Sequence, residues 1–224
     1  MKRTMFKIEA IALTIVLSVV FASGLMAQDK GEYKQAMGAV LSEMGTLKDN
    51  TAYLDLANKF QRIAETETTE WLPAYYNALC TAIYSFGETD KAKVDPLLDQ
   101  AQTMVEKALK LKANESEIWI LQGMLYQARI MVDPMTRGQM YIMKANEAFA
   151  KAEVLNPENP RVYYLQGQSL MNTPAMYGGG KEVAKPLFQK AHDKFLTFKP
   201  ADALSPNWGK EPNEQLLKTY ENRK

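Results

Sequence analysis

From Glu32 onward, apolar and small residues recur every three and four positions, the period of a helix with one buried face. The alternation of apolar and polar residues that marks a strand is absent. Trp119, Gln122, Gly123 and Tyr126 show the pattern clearly. It predicts helices over 32–47, 52–66, 71–86, 95–111, 116–131, 136–155, 161–171, 181–197 and 212–221. Asp95-Pro96 reads as an N-cap followed by proline at the first helical position, and Ser116 reads as the cap of the helix that carries Trp119. Between Asn156 and Pro160, two prolines disfavour helical geometry in the residues before them, so two helices must meet there in a tight break.

The same pattern repeats at longer range. Tyr75, Trp119 and Tyr163 recur at a 44-residue interval, as do Ala57, Ala101 and Ala145, and Ala64, Ala108 and Ala152. Gly123 and Gly167 each follow the aromatic by four positions, with Leu79 in the first copy. Three coincident series in one register define a structural repeat. Each copy reads as a helical hairpin: two alanines about two turns apart on one helix allow close approach, and the glycine on the partner helix leaves room for a neighbour. A single hairpin cannot bury both faces, so the copies must stack.

Trp119-x-x-Gln122-Gly123-x-x-Tyr126, then Ala145-x-x-x-Phe149-x-x-Ala152 and Pro157, resembles the tetratricopeptide repeat signature. The next copy is similar, with Tyr163, Gln166, Gly167, Ala184, Phe188 and Ala191; an earlier one keeps Tyr75, Ala101 and Ala108 but has Val105 where the large aromatic belongs. A divergent first hairpin spans about Glu32 to Glu65. The family's usual repeat is about 34 residues, so these copies are lengthened. The resemblance covers 32–198 and implies an all-α, tetratricopeptide-like helical-hairpin solenoid of about four hairpins plus a C-terminal capping helix.

By the same resemblance, the positions one, five and eight after each aromatic face a concave groove. These are Tyr76, Cys80 and Ile83, then Ile120, Met124 and Gln127, then Tyr164, Gln168 and Met171, with Tyr84 adjacent. Family members that clamp a peptide carboxylate use Lys, Asn and Arg at such positions, and this chain does not. The groove is aromatic and bears methionine, suited to an apolar helix or extended segment, unless its residues are simply covered core. Tyr177, Gly178, Gly179 and Gly180 form a second candidate, a loop between helices. Glycines before a helix can cradle phosphate, but here Glu182 follows Lys181 where a phosphate loop needs Ser or Thr, so a tight turn is expected.

Composition adds mainly exclusions. Lys2, Arg3 and Lys7 precede an apolar run from Ile8 to Leu25, with small residues leading to Ala27, the layout of a secretory signal peptide. Residues 1–27 are therefore expected to be removed, with an uncleaved membrane anchor as the alternative and the only membrane contact. Their loss takes the formal charge from +1 to about −1, and no basic stripe remains for nucleic acid. The destination is periplasmic or secreted. Cys80 is the lone cysteine, so stability rests on the apolar core of residues 28–200. His192 is the lone histidine, and the carboxylates scatter as on solvated faces. No residue set supports catalysis, a metal site or a cofactor.

Two functions stand from these observations. The first is an exported scaffold or adaptor binding a protein or peptide through its concave face and inter-helix loops. The alternative is a periplasmic solute-binding component of a transport system. Within the tail, 201–224, Trp208, Leu216 and Tyr220 are expected to cap the last hairpin near Phe188, Phe195 and Phe198; the competing expectation lays the tail in the groove against Tyr76, Met124 or Tyr164.

Overall fold

The computed structural model describes residues 30–47 and 49–221; the expected signal segment and its cleavage near Ala27 lie outside the described residues. The chain is all-α. Helix α1 covers 30–44, followed by α2 (Ala52–Thr66), α3 (Leu72–Gly87), α4 (Lys91–Leu111), α5 (Ser116–Val132), α6 (Pro134–Leu155), α7 (Pro160–Asn172), a short 3-10 turn (Ala175–Tyr177), α8 (Lys181–Thr197) and α9 (Lys210–Glu221). No strand occurs among the described residues.

Helices α3 and α4, α5 and α6, and α7 and α8 pair as hairpins. Within the stack, α3 packs on α5 and α5 on α7, which makes these three an inner layer; α4 and α6 also pack on the next inner helix. The 44-residue repeat explains the close crossings. Ala101 and Ala108, Ala145 and Ala152, and Ala184 and Ala191 are fully buried, with Val105, Phe149 and Phe188 buried between them. Gly123 and Gly167 take the Phe149 and Phe188 rings directly against their backbone. In the copy that has Leu79 in place of glycine, the ring is replaced by the smaller Val105, which conserves volume across the hairpin.

Two expected caps are wrong, and with one of them the start of its helix. Helix α4 begins at Lys91, capped by Asp90, whose carboxylate accepts from the Ala92 N–H at 3.1 Å. Asp95 is therefore not a cap, and Pro96 lies inside the helix on its exposed side. A proline there forfeits one backbone hydrogen bond, and the freed carbonyl faces water. Asp95 instead pairs with Arg129 at 3.3 Å and Arg137 at 2.8 Å, tying α4 to α5 and α6. Ser116 is the first residue of α5 and makes no cap; its hydroxyl donates to the Ala152 carbonyl at 3.0 Å and joins the start of α5 to the end of α6.

Candidate functional site

The inner face divides into a covered half and an open half. Residues 199–209 leave α8 and cross the N-terminal ends of the inner helices as an irregular strap. The Tyr76 hydroxyl donates to the Leu204 carbonyl at 2.8 Å, Arg161 Nη2 to the Pro206 carbonyl at 2.5 Å, and the Trp208 indole N–H to the Tyr75 hydroxyl at 2.8 Å. Leu204 and Pro206 are buried by these contacts. At Gly209 the chain turns with φ +99°, a conformation that favours glycine, and enters α9. Helix α9 then packs on α8: Asn213 Nδ2 donates to the Phe188 carbonyl at 3.0 Å, the Tyr220 hydroxyl to the Lys181 carbonyl at 2.8 Å, and the Phe188 and Tyr220 rings lie 6.4 Å apart. The tail thus does both things expected of it, in sequence. The strap occupies the groove and α9 covers the last hairpin, so Trp208 reaches Tyr75 and Arg161 across the groove while Leu216 and Tyr220 stay with the cap.

Beneath the strap lies a buried polar cluster. Arg161 Nη1 donates to Glu117 Oε1 at 2.9 Å and Asn159 Oδ1 at 3.4 Å; Asn159 Nδ2 donates to Glu117 Oε1 at 2.6 Å, and the Tyr75 hydroxyl to Glu117 Oε2 at 3.3 Å. The guanidinium carbon sits 4.7 Å from the Phe198 ring and 5.3 Å from that of Trp208. Burial pushes the Glu117 carboxyl above its ordinary value, against the opposing pull of Arg161 and the Asn159 hydrogen bond. Burial, and then the Glu117 charge, push the Tyr75 phenol far upward. Two of the three strap anchors therefore run into one carboxylate, Pro206 through Arg161 and Trp208 through Tyr75.

The residues expected to line the groove separate along the same division. Tyr76, Cys80, Ile120, Met124 and Tyr164 are buried and belong to the core. Tyr76 stacks on Phe60 at 5.2 Å, and Tyr164 accepts from Gln168 Nε2 at 2.9 Å. Burial pushes the Cys80 thiol up to about 12, which removes it as a nucleophile. Ile83, Tyr84, Gln127, Gln168 and Met171 are half-buried at the far ends of α3, α5 and α7. Gln127 donates to the Leu165 carbonyl at 3.0 Å and Tyr84 to Glu88 at 2.7 Å. Helix α9 walls this end, leaving a cavity of about 380 Å³ lined by Tyr164, Gln168, Pro212 and Leu216.

The turns that follow α3, α5 and α7 all lie at this open end, and they are unusually apolar. Phe86, Met131, Met135, Met176, Tyr177 and Val183 are exposed there, with Met140 and Met143 just behind on the first half of α6; Leu111, Val154 and Leu196 are the exposed large apolar residues towards the opposite edge, among those described. Met135 is 94% exposed, Met176 80% and Tyr177 72%. In the loop that holds Tyr177, Gly178 and Gly180 take φ of +81° and +119°. Gly179 is packed against Thr173. The Gly178, Gly179 and Gly180 N–H groups donate to the carbonyls of Ala175, Pro174 and Leu170, so none is left for a phosphate. The glycines shape a turn that presents Met176 and Tyr177.

Sequence reasoning missed Glu117 and Arg161, and it named Trp208 as a cap residue without its bond to Tyr75. Glu117 and Arg161 are 44 residues apart, each two positions before a repeat aromatic. Opposite charges at one repeat position, in the first turn of consecutive inner helices, were a readable sign of an ion pair between copies. Among the described residues, no three His, Cys, Asp or Glu side chains group to hold a metal, and no helix is long and apolar enough to cross a membrane.

These features define an all-helical hairpin stack that closes half of its concave face with its own tail and leaves the other half open and apolar. Neither a family model nor a curated protein matches the chain. Among solved structures it is similar to the HusA haemophore from Porphyromonas gingivalis, with 36% identity and a TM-score of 0.78 over 86% of this chain and 95% of that one. The chain belongs to the same family as HusA.

Proposed function

We propose that this protein is an exported haem-binding protein that holds a flat, apolar porphyrin on the open half of its inner face. The observation that carries the reading is the 36% identity, over 95% of its length, with a protein described as a haemophore. The site supports it: half-buried Ile83, Gln127, Gln168 and Met171 lie at the open end, Gln168 and α9 line its cavity, and the exposed methionines and Tyr177 on the neighbouring turns form a rim. Thioether and phenol are among the side chains that ligate haem iron. His192 is remote from this rim, eleven residues along α8 from Lys181, roughly 16 Å at the helical rise. The hairpins are read as lengthened tetratricopeptide-type units, and the charged start with its apolar run as the export signal.

A peptide-binding scaffold has less support, because the strap fills the groove such a peptide would use. Titrating haem into the exported chain and following the Soret band tests the proposal. A saturable one-to-one change with a Kd on the order of 1 μM or tighter is the expected result. A featureless, non-saturating response overturns it.

A further inference from the structure

Arg161 is fully buried, yet its donors are used unevenly. Nη1 serves Glu117 and Asn159, Nη2 serves the Pro206 carbonyl, and the buried Nε–H has no partner. Nε and Nη2 lie on one edge of the planar guanidinium, spaced to grip both oxygens of a single carboxylate. One neutral carbonyl oxygen fills half of that edge. Native interiors leave few buried donors unpaired, and such a group calls for an explanation. The acceptor it does have belongs to the strap, whose other two hydrogen bonds to the inner helices, Trp208 to Tyr75 and Leu204 to Tyr76, join neutral groups.

We infer that the Nε–Nη2 edge of Arg161 is the binding position for a carboxylate of the ligand, which takes the place of the Pro206 carbonyl and lifts the strap from the inner face. The inference rests on the haem-binding reading and gives it an orientation. The apolar body of the porphyrin lies toward the methionine rim, and its propionate edge points inward along α7 to Arg161. The carbonyl accepts from Nη2 alone, whereas a carboxylate accepts from Nε and Nη2 together as a bidentate pair and satisfies the unpaired Nε–H, so it outcompetes the carbonyl it replaces. Glu117 stays on Nη1 and keeps the guanidinium plane fixed during the exchange.

Protoporphyrin IX and its dimethyl ester, both without iron, separate this contact from metal ligation. On the full exported chain, the free acid should bind at least ~10-fold more tightly than the ester, a difference of about 1.4 kcal/mol. It should also shift the NMR signals of the Arg161 Nε–H and the Trp208 indole N–H, which the ester leaves in place. Trp208→Phe, which removes one strap anchor and keeps an aromatic ring, should tighten the free acid several-fold. In Arg161→Lys the preference for acid over ester should vanish. Equal binding of acid and ester with the Arg161 signal unmoved overturns the inference and leaves the porphyrin reading intact. No binding of either porphyrin overturns both. The acid–ester comparison on the unchanged chain decides the matter whether or not the variants fold.

Discussion

Gly167 lies directly against the ring of Phe188: a Cβ placed on the glycine would sit 2.7 Å from Phe188 Cε1. The same relation holds between Gly123 and Phe149, and in both hairpins the ring is enclosed and cannot swing aside. Gly167→Ala and Gly123→Ala should therefore overpack their hairpins and cost roughly 1–3 kcal/mol each, although alanine is the better helix former. Ala108→Leu and Ala152→Leu should cost about as much, since both alanines are fully buried. Urea midpoints equal to the parent's would mean that the 44-residue register does not set the crossings.

Truncation after Pro200 removes the strap and α9 together. Leu204 and Trp208 leave the groove, Leu216 and Tyr220 leave the last hairpin, and the Glu117–Arg161 pair meets water. Burial of such side chains contributes roughly 1.5–3 kcal/mol each before the entropy of ordering the tail is subtracted. A thermal midpoint lower by several degrees and greater binding of apolar dyes are expected. A truncated chain that melts with the parent and binds no more dye would leave the tail without a structural role.

Alkaline pH should destabilise the fold. Burial raises the Cys80 thiol and the Tyr164 phenol to about 12, from ordinary values of 9.0 and 10.0, so the folded chain holds these protons more tightly than the unfolded one. The corresponding stability is fully present below the unfolded values and is lost as pH rises through 12, at up to about 1.4 kcal/mol per pH unit for each group. Urea midpoints at pH 8 and pH 10.5 should show the fall. Cys80 should react with thiol reagents only as fast as the protein opens; rapid labelling of the native chain at pH 8 would contradict its burial.

The methionine rim can be tested apart from stability. Met131 and Met176 are 56% and 80% exposed, so replacing both with Asp should change stability by less than about 0.5 kcal/mol each. If haem lies against the rim, the same pair of changes should weaken its binding by about tenfold or more, a loss of about 1.4 kcal/mol. Unaltered affinity would place the ligand elsewhere on the molecule.

If the charged start and apolar run act as an export signal, protein recovered from its native source should begin near Gln28. Intact mass spectrometry measures this, and a mass that still includes residues 1–27 would indicate an anchored form.

The hairpins were readable because each is made by contacts that repeat. Tyr75, Trp119 and Tyr163 mark the inner helices at one interval, and the alanine pairs mark their partners. Helix boundaries were less readable. At Asp95-Pro96 a strong local motif pointed to a start, but Asp90 caps the helix and a solvent-facing proline costs it only one hydrogen bond. The site was half readable. Repeat position set Tyr76, Ile83, Gln127, Tyr164 and Met171 on one face as equals, and it could not tell that Tyr76 and Tyr164 would be covered while Ile83, Gln127 and Met171 stay half-buried. That depends on the path of residues 199–209, which have no period, and on contacts such as Trp208 to Tyr75, separated by 133 residues. Nothing local in the sequence encodes such a pairing.

That separation fixes an order of events. A polypeptide is made from its N-terminus, and its earlier parts can fold before the later ones exist. The inner helices α3, α5 and α7 can stack as soon as they emerge, because their contacts are between adjacent copies. The strap cannot lie down until the whole stack is built, since its anchors are spread over Tyr75, Tyr76 and Arg161. For the interval before the last two dozen or so residues are delivered, a newly made molecule displays its entire concave surface, and the final act of its biogenesis is to cover half of it.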